Sequence, residues 1–127
     1  MFYVVESSKS FYETNLDFGP VVERLGFAIL HTTNLGEMLQ HRGIELDEDC
    51  QLYDIINYRL VEHLLAIDAQ LGLILPSRIS VFTRDGCTLI GIVRSVDCPA
   101  AFASHPAISK ILAEIDERLR LIVDEVR

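Results

Sequence analysis

The spacing of apolar and polar positions changes several times along the chain, and each change marks an element. Residues 2 to 6, FYVVE, are rich in aromatic and β-branched side chains and predict a first strand. A helix is expected from about Ser10 to Leu25, with Gly26 placed where a helix-ending glycine belongs. Gly19-Pro20 falls inside that helix and predicts a kink or a split, Pro20 then opening a second short piece. FAILHT, residues 27 to 32, reads as a second strand. Asn34 with Glu37 three positions later resembles a capping box and opens a short helix through Leu35, Met38 and Leu39, stopped by Gly43. An acidic loop, Glu45 to Asp49, leads to a third strand at 51 to 56, QLYDII.

Asn57 is a suitable N-cap for a helix over about 58 to 68, whose inner face is Leu60, Val61, Leu64 and Leu65. Strands are expected at about 73 to 83 and 87 to 94, joined by Asp85-Gly86, a strong hairpin signal. After a loop at 95 to 104, His105-Pro106 starts the last helix. There Ile108, Ile111, Leu112, Ile115, Leu119, Ile122, Val123 and Val126 recur at helical spacing with charges between them. The order is β-α-β-(short α)-β-α-β-β-α. The hairpin forces antiparallel pairing, so the expected architecture is α+β: a mostly antiparallel sheet with long helices packed on one face.

Composition narrows the function classes. A chain of 127 residues fits one domain, residues 1 to 127, and a 50% hydrophobic content supplies a core. No apolar run approaches the roughly 20 residues needed to span a bilayer, and the first residues carry no basic, signal-like segment. A cytoplasmic protein is expected. The net charge of -8, from 11 basic and 19 acidic residues, argues against nucleic acid and against an anionic membrane surface. The three cysteines, Cys50, Cys87 and Cys98, form no CxxC pair and read as free. His31, His41, His63 and His105 lack ligand-like spacing, so no metal is expected. The acidic loop lacks the EF-hand pattern and reads as solvated. No nucleophile elbow, P-loop or dinucleotide-binding glycine pattern is present.

One stretch interrupts the strand-like pattern. In LGLILPSRISVF, residues 71 to 82, Pro76-Ser77-Arg78 separates two apolar runs. One reading is that Pro76 bends the strand and presents Ser77 and Arg78 to a pocket near the helix start at Asn57, where an anion would be favoured. The plainer reading is that Pro76 marks the start of the strand or a bulge and Arg78 is an outward, solvated residue. His31, at a strand end, is a candidate general base or an ordinary exposed histidine. Ser77, Arg78, Asn57 and His31 are thus the candidate ligand-binding residues; a catalytic set and a cofactor are not specified by any motif.

FYVVES, GFAILHTTNLGEMLQHRG, YDIINYRLVEHLL and GLILPSRISVF, in this order, resemble successive blocks of the domain of unknown function 302 family. The resemblance covers nearly the whole chain. It implies a β-α-β(4)-α fold of the TATA-binding-protein-like class, commonly homodimeric, with no established activity. The two short helices then count as insertions between strands. Members similar to this chain often carry Cys-Asn-Pro where it has Ile56-Asn57-Tyr58, and Pro-Cys where it has Pro76-Ser77. Thiol chemistry at those positions is therefore closed to this protein, because a serine without an activating base is a far weaker nucleophile. The family's first helix usually lacks the Gly19-Pro20 break. These features point to a small non-catalytic ligand-binding or regulatory homodimer. The alternatives are an enzyme acting on a small anionic or sulfur-containing metabolite through Ser77, Arg78 and His31, and a purely structural partner protein with an exposed apolar patch. DNA binding by analogy of fold is opposed by the charge.

Overall fold

The computed structural model describes residues 1–96 and 105–127. Its elements are β1 (Phe2–Ser7), α1 (Phe11–Arg24), β2 (Ala28–Asn34), α2 (Leu35–His41), β3 (Cys50–Ile56), α3 (Tyr58–Ile67), a 3₁₀ helix (Ala69–Ile74), β4 (Ser77–Arg84), β5 (Cys87–Val93) and α4 (Pro106–Val126). The strands form one antiparallel sheet in the order β1-β5-β4-β3-β2. This is the α+β architecture expected from the patterning, with the helices on one face.

The period-2 alternation of the strands decides what each face carries. Val5, Tyr53, Ile55, Ile79, Val81, Ile90 and Ile92 are buried in one core with the helices. The core side of α4 is Ile108, Leu112, Ile115, Leu119, Ile122, Val123 and Val126, all buried as the helical spacing predicts. Phe18 of α1 stacks on Tyr53, ring centroids 3.8 Å apart, and the Tyr53 hydroxyl donates to Asn15 Oδ1 at 2.7 Å. In α3 the buried stripe narrows to Leu60 and Leu64. Leu65 instead leans over Gly72 of the 3₁₀ helix and stays exposed.

Local chemistry places the ends of these elements. Ser10 caps α1 by accepting from the Glu13 amide at 3.1 Å, and Gly26 follows its last turn. Asn34 caps α2 by accepting from the Glu37 amide at 3.0 Å. The β4–β5 hairpin turns on Asp85 (φ 52°) and Gly86 (φ 81°), two positive-φ residues as a tight primed turn requires.

Two expectations are corrected. Pro20 does not split the first helix; Phe11–Arg24 is continuous. Pro20 lies on an exposed part of α1, so the carbonyl it leaves without a helical donor can be hydrated. The strand expected from residue 73 begins at Ser77. The apolar run before it is a 3₁₀ helix, started by Asp68 accepting from the Gln70 amide at 2.9 Å and anchored by fully buried Leu71. Pro76 therefore stands just before the strand rather than bending it. The loop expected at 95 to 104, with Cys98, lies largely outside the described residues.

Candidate functional site

The 3₁₀ helix delivers the chain to the start of β4 beside the end of β5, and α4 passes over the same end of the sheet. Between these elements is a cleft of about 520 Å³. Its floor is apolar: Ile74, Leu75, Ile92, Leu112, Ile115 and Leu119 line it from the helix side. It continues around the strand ends onto the sheet's other face, where Phe2, Val4, Phe82 and Val93 line it. Gly91 deepens the cleft on that face. It pairs with Val4 and Ser80, and a β-carbon there would come 3.0 Å from Val4 Cγ2.

Polar groups stand at the rim. Ser77 and Arg78 both line the cleft, as do Ser80, Arg94 and Ser95. Arg78 Nε donates to Asp54 Oδ1 at 3.0 Å, which orients the guanidinium. Asp54 is the register partner of both Arg78 and His31, so the three residues form a row across β4, β3 and β2. His31 itself contacts Thr33, Nδ1 to Oγ1 at 2.9 Å, and does not reach the cleft lining. Asn57 also stands apart. Its Oδ1 accepts from the Leu60 amide at 3.1 Å and its Nδ2 donates to the Gly26 carbonyl at 3.1 Å. That side chain starts α3 and ties it to the end of α1. The structure therefore brings Ser77 and Arg78 together at one cleft and leaves His31 and Asn57 outside it.

Arg94 is held from behind. Its Nη2 donates to Asp116 Oδ2 at 2.8 Å, and the Ser95 amide donates to Asp116 Oδ1 at 2.9 Å. Arg120 Nε lies 3.1 Å from the same carboxylate, off the hydrogen-bonding direction, and contributes its charge. Burial pushes the Asp116 carboxyl up. The Arg94 hydrogen bond and charge, the Ser95 amide and the Arg120 charge outweigh it and hold the group below its ordinary range. Asp54 and Asp116 were not singled out from the sequence, although each leaves a trace there. Asp54 interrupts QLYDII on its outward phase, and Asp116 interrupts the apolar stripe of α4.

The hydrogen bonds among the described residues join Ser77, Arg78 and His31 to none of one another, so no nucleophile–base pair is formed from them. Cys87 is exposed, and its hydrogen bond to Glu6 and the Glu6 charge push its thiol up, opposite to an activated thiolate. Among the described residues no group of three or more His, Cys, Asp or Glu side chains is placed to hold a metal ion. No helix among them is long and apolar enough to cross a membrane.

The apolar cleft thus lies at one end of a five-stranded antiparallel sheet that carries the helices on one face, an α+β fold. The model of the family described as domain of unknown function DUF302 matches residues 3–126, and the chain belongs to that family. The fold is similar to the crystal structure of an uncharacterized conserved DUF302 protein from Bacillus stearothermophilus, with a TM-score of 0.91 and 25% identity, covering 99% of this chain and 98% of that one. No curated protein matches.

Proposed function

We propose that this protein is a non-catalytic small-ligand-binding domain that works as a homodimer. The observation that carries the reading is the cleft: about 520 Å³, floored by aliphatic side chains and rimmed by a few hydroxyls and two arginines. That is the ordinary composition of a ligand pocket. The dimer reading rests on the sheet face away from the helices. Phe2 is 67% exposed, Val93 57% and Val4 44%, and they adjoin one another across β1 and β5. Contiguous exposed apolar groups on a sheet face favour coverage by another surface. Because the cleft opens onto this face, a second copy seated there would close its mouth.

The test is sedimentation velocity of the wild type and of Val93→Glu, with nuclear magnetic resonance shift mapping of a small-molecule library on each. The expected result is a wild-type dimer, a monomeric variant, and ligand shifts concentrated on Ser77, Val93 and Ser95. A monomeric wild type would remove the dimer. Shifts scattered over the surface, or none, would remove the cleft.

A further inference from the structure

The charge of the cleft wall differs from that of the chain. The protein carries 19 acidic and 11 basic residues, yet among the described residues the charged ones lining the cleft are Arg78 and Arg94. The carboxylates that pair with them, Asp54 and Asp116, are outside the lining. Each arginine is thus aimed by a carboxylate behind the wall. Arg78 differs from Arg94 in what remains to be used. Its side chain is 59% exposed, and its one hydrogen bond among the described residues leaves from Nε. Both terminal nitrogens keep their donors in a planar fork suited to a carboxylate.

Apolar floor and cationic rim together describe an amphiphile. Resting on the cleft-binding reading above, we infer that the ligand class is a single-chain aliphatic carboxylate, its chain over Ile74, Leu112 and Ile115 and its head group on Arg78. Size favours one medium chain. At about 30 Å³ per non-hydrogen atom, the share of a water in the liquid, a ten-carbon acid needs about 360 Å³. A lipid with two sixteen-carbon chains would need about 960 Å³ for the chains alone, well beyond the cleft.

The experiment is isothermal titration calorimetry of the full chain with decanoate and with 1-decanol. Both are repeated on Arg78→Gln and on Arg59→Gln, which removes the same charge from the exposed side of α3. The expected result is decanoate binding at least about tenfold tighter than the alcohol, as a charge-assisted hydrogen bond supplies. Arg78→Gln erases most of that ratio and changes alcohol binding less than about twofold, while Arg59→Gln preserves it. Equal binding of acid and alcohol, or a ratio indifferent to Arg78, overturns the carboxylate assignment and leaves the cleft reading standing. No binding of either amphiphile, as when a second copy fills the cleft, overturns both.

Discussion

Asp116 offers the sharpest test of how the end of the sheet is held. Its side chain is 1% exposed inside an otherwise apolar helix face, and it accepts from Arg94 and from the Ser95 amide while Arg120 stands close. Replacing it by alanine removes the charge-assisted hydrogen bonding from two donor groups, the Arg94 guanidinium and the Ser95 amide, each group worth about 1.5–3 kcal/mol. A wholly buried pair broken this way costs about 3–5 kcal/mol, because its partner charge is stranded. Here Arg94 and Arg120 are 35% and 41% exposed and can regain water, so the expected loss is about 3 kcal/mol. At about 4 °C per kcal/mol for a chain of this size, Tm falls by about 12 °C. Asp116→Asn keeps an acceptor for Ser95 and loses the charge, so about half that loss is expected.

The pH dependence has a definite sign. The folded carboxyl titrates below its unfolded value of about 3.9, so its contribution is fully present above that value. It is lost as pH falls through the lower folded value. Urea unfolding followed by circular dichroism should therefore show a gap between wild type and Asp116→Asn that is constant from pH 7 to about 5 and closes below about 4. An alanine variant costing under about 0.5 kcal/mol, or a gap that widens in acid, would refute the reasoning.

Four further outcomes follow from packing and turn geometry. Phe18→Ala, which empties the site stacked on Tyr53, should cost about 4 kcal/mol in the same urea assay. Gly86→Ala should cost about 1 kcal/mol, because φ of 81° strains a residue with a β-carbon. Gly91→Ala should cost about 1 kcal/mol by pushing Val4 aside, and adding Val4→Ala should restore most of it; additive losses would show the contact to be irrelevant. If the proposed homodimer forms through the β1–β5 face, Phe2→Glu should sediment as a monomer without lowering Tm at low protein concentration; a variant that sediments as the wild type does would remove that interface.

Much of this fold can be read from local patterns. The α4 stripe, the caps at Asn34 and Asn57, and the Asp85-Gly86 turn each rest on residues close in sequence, where periodicity and capping chemistry act. The run Leu71 to Leu75 was harder, because a short apolar run fits a strand or a buried helical turn equally well. What decided it was the Asp68 cap, two residues from the amide it bonds. Pro20 shows tertiary context outweighing a local breaker, since the helix turns it toward solvent. The cleft was only half legible. Ser77 and Arg78 stood out because they break an apolar run. Phe2, Val4 and Gly91 become wall residues only through the β1–β5 pairing, and Arg94 meets Asp116 across 22 positions of sequence. No local pattern encodes such pairings.

Native mass spectrometry of the purified protein, set against its denatured mass, tests the central proposal most directly. A ligand-binding homodimer predicts a species of twice the chain mass carrying a reproducible extra mass, released on denaturation, and diminished in Val93→Glu. A bare monomer that takes up no added decanoate would contradict it.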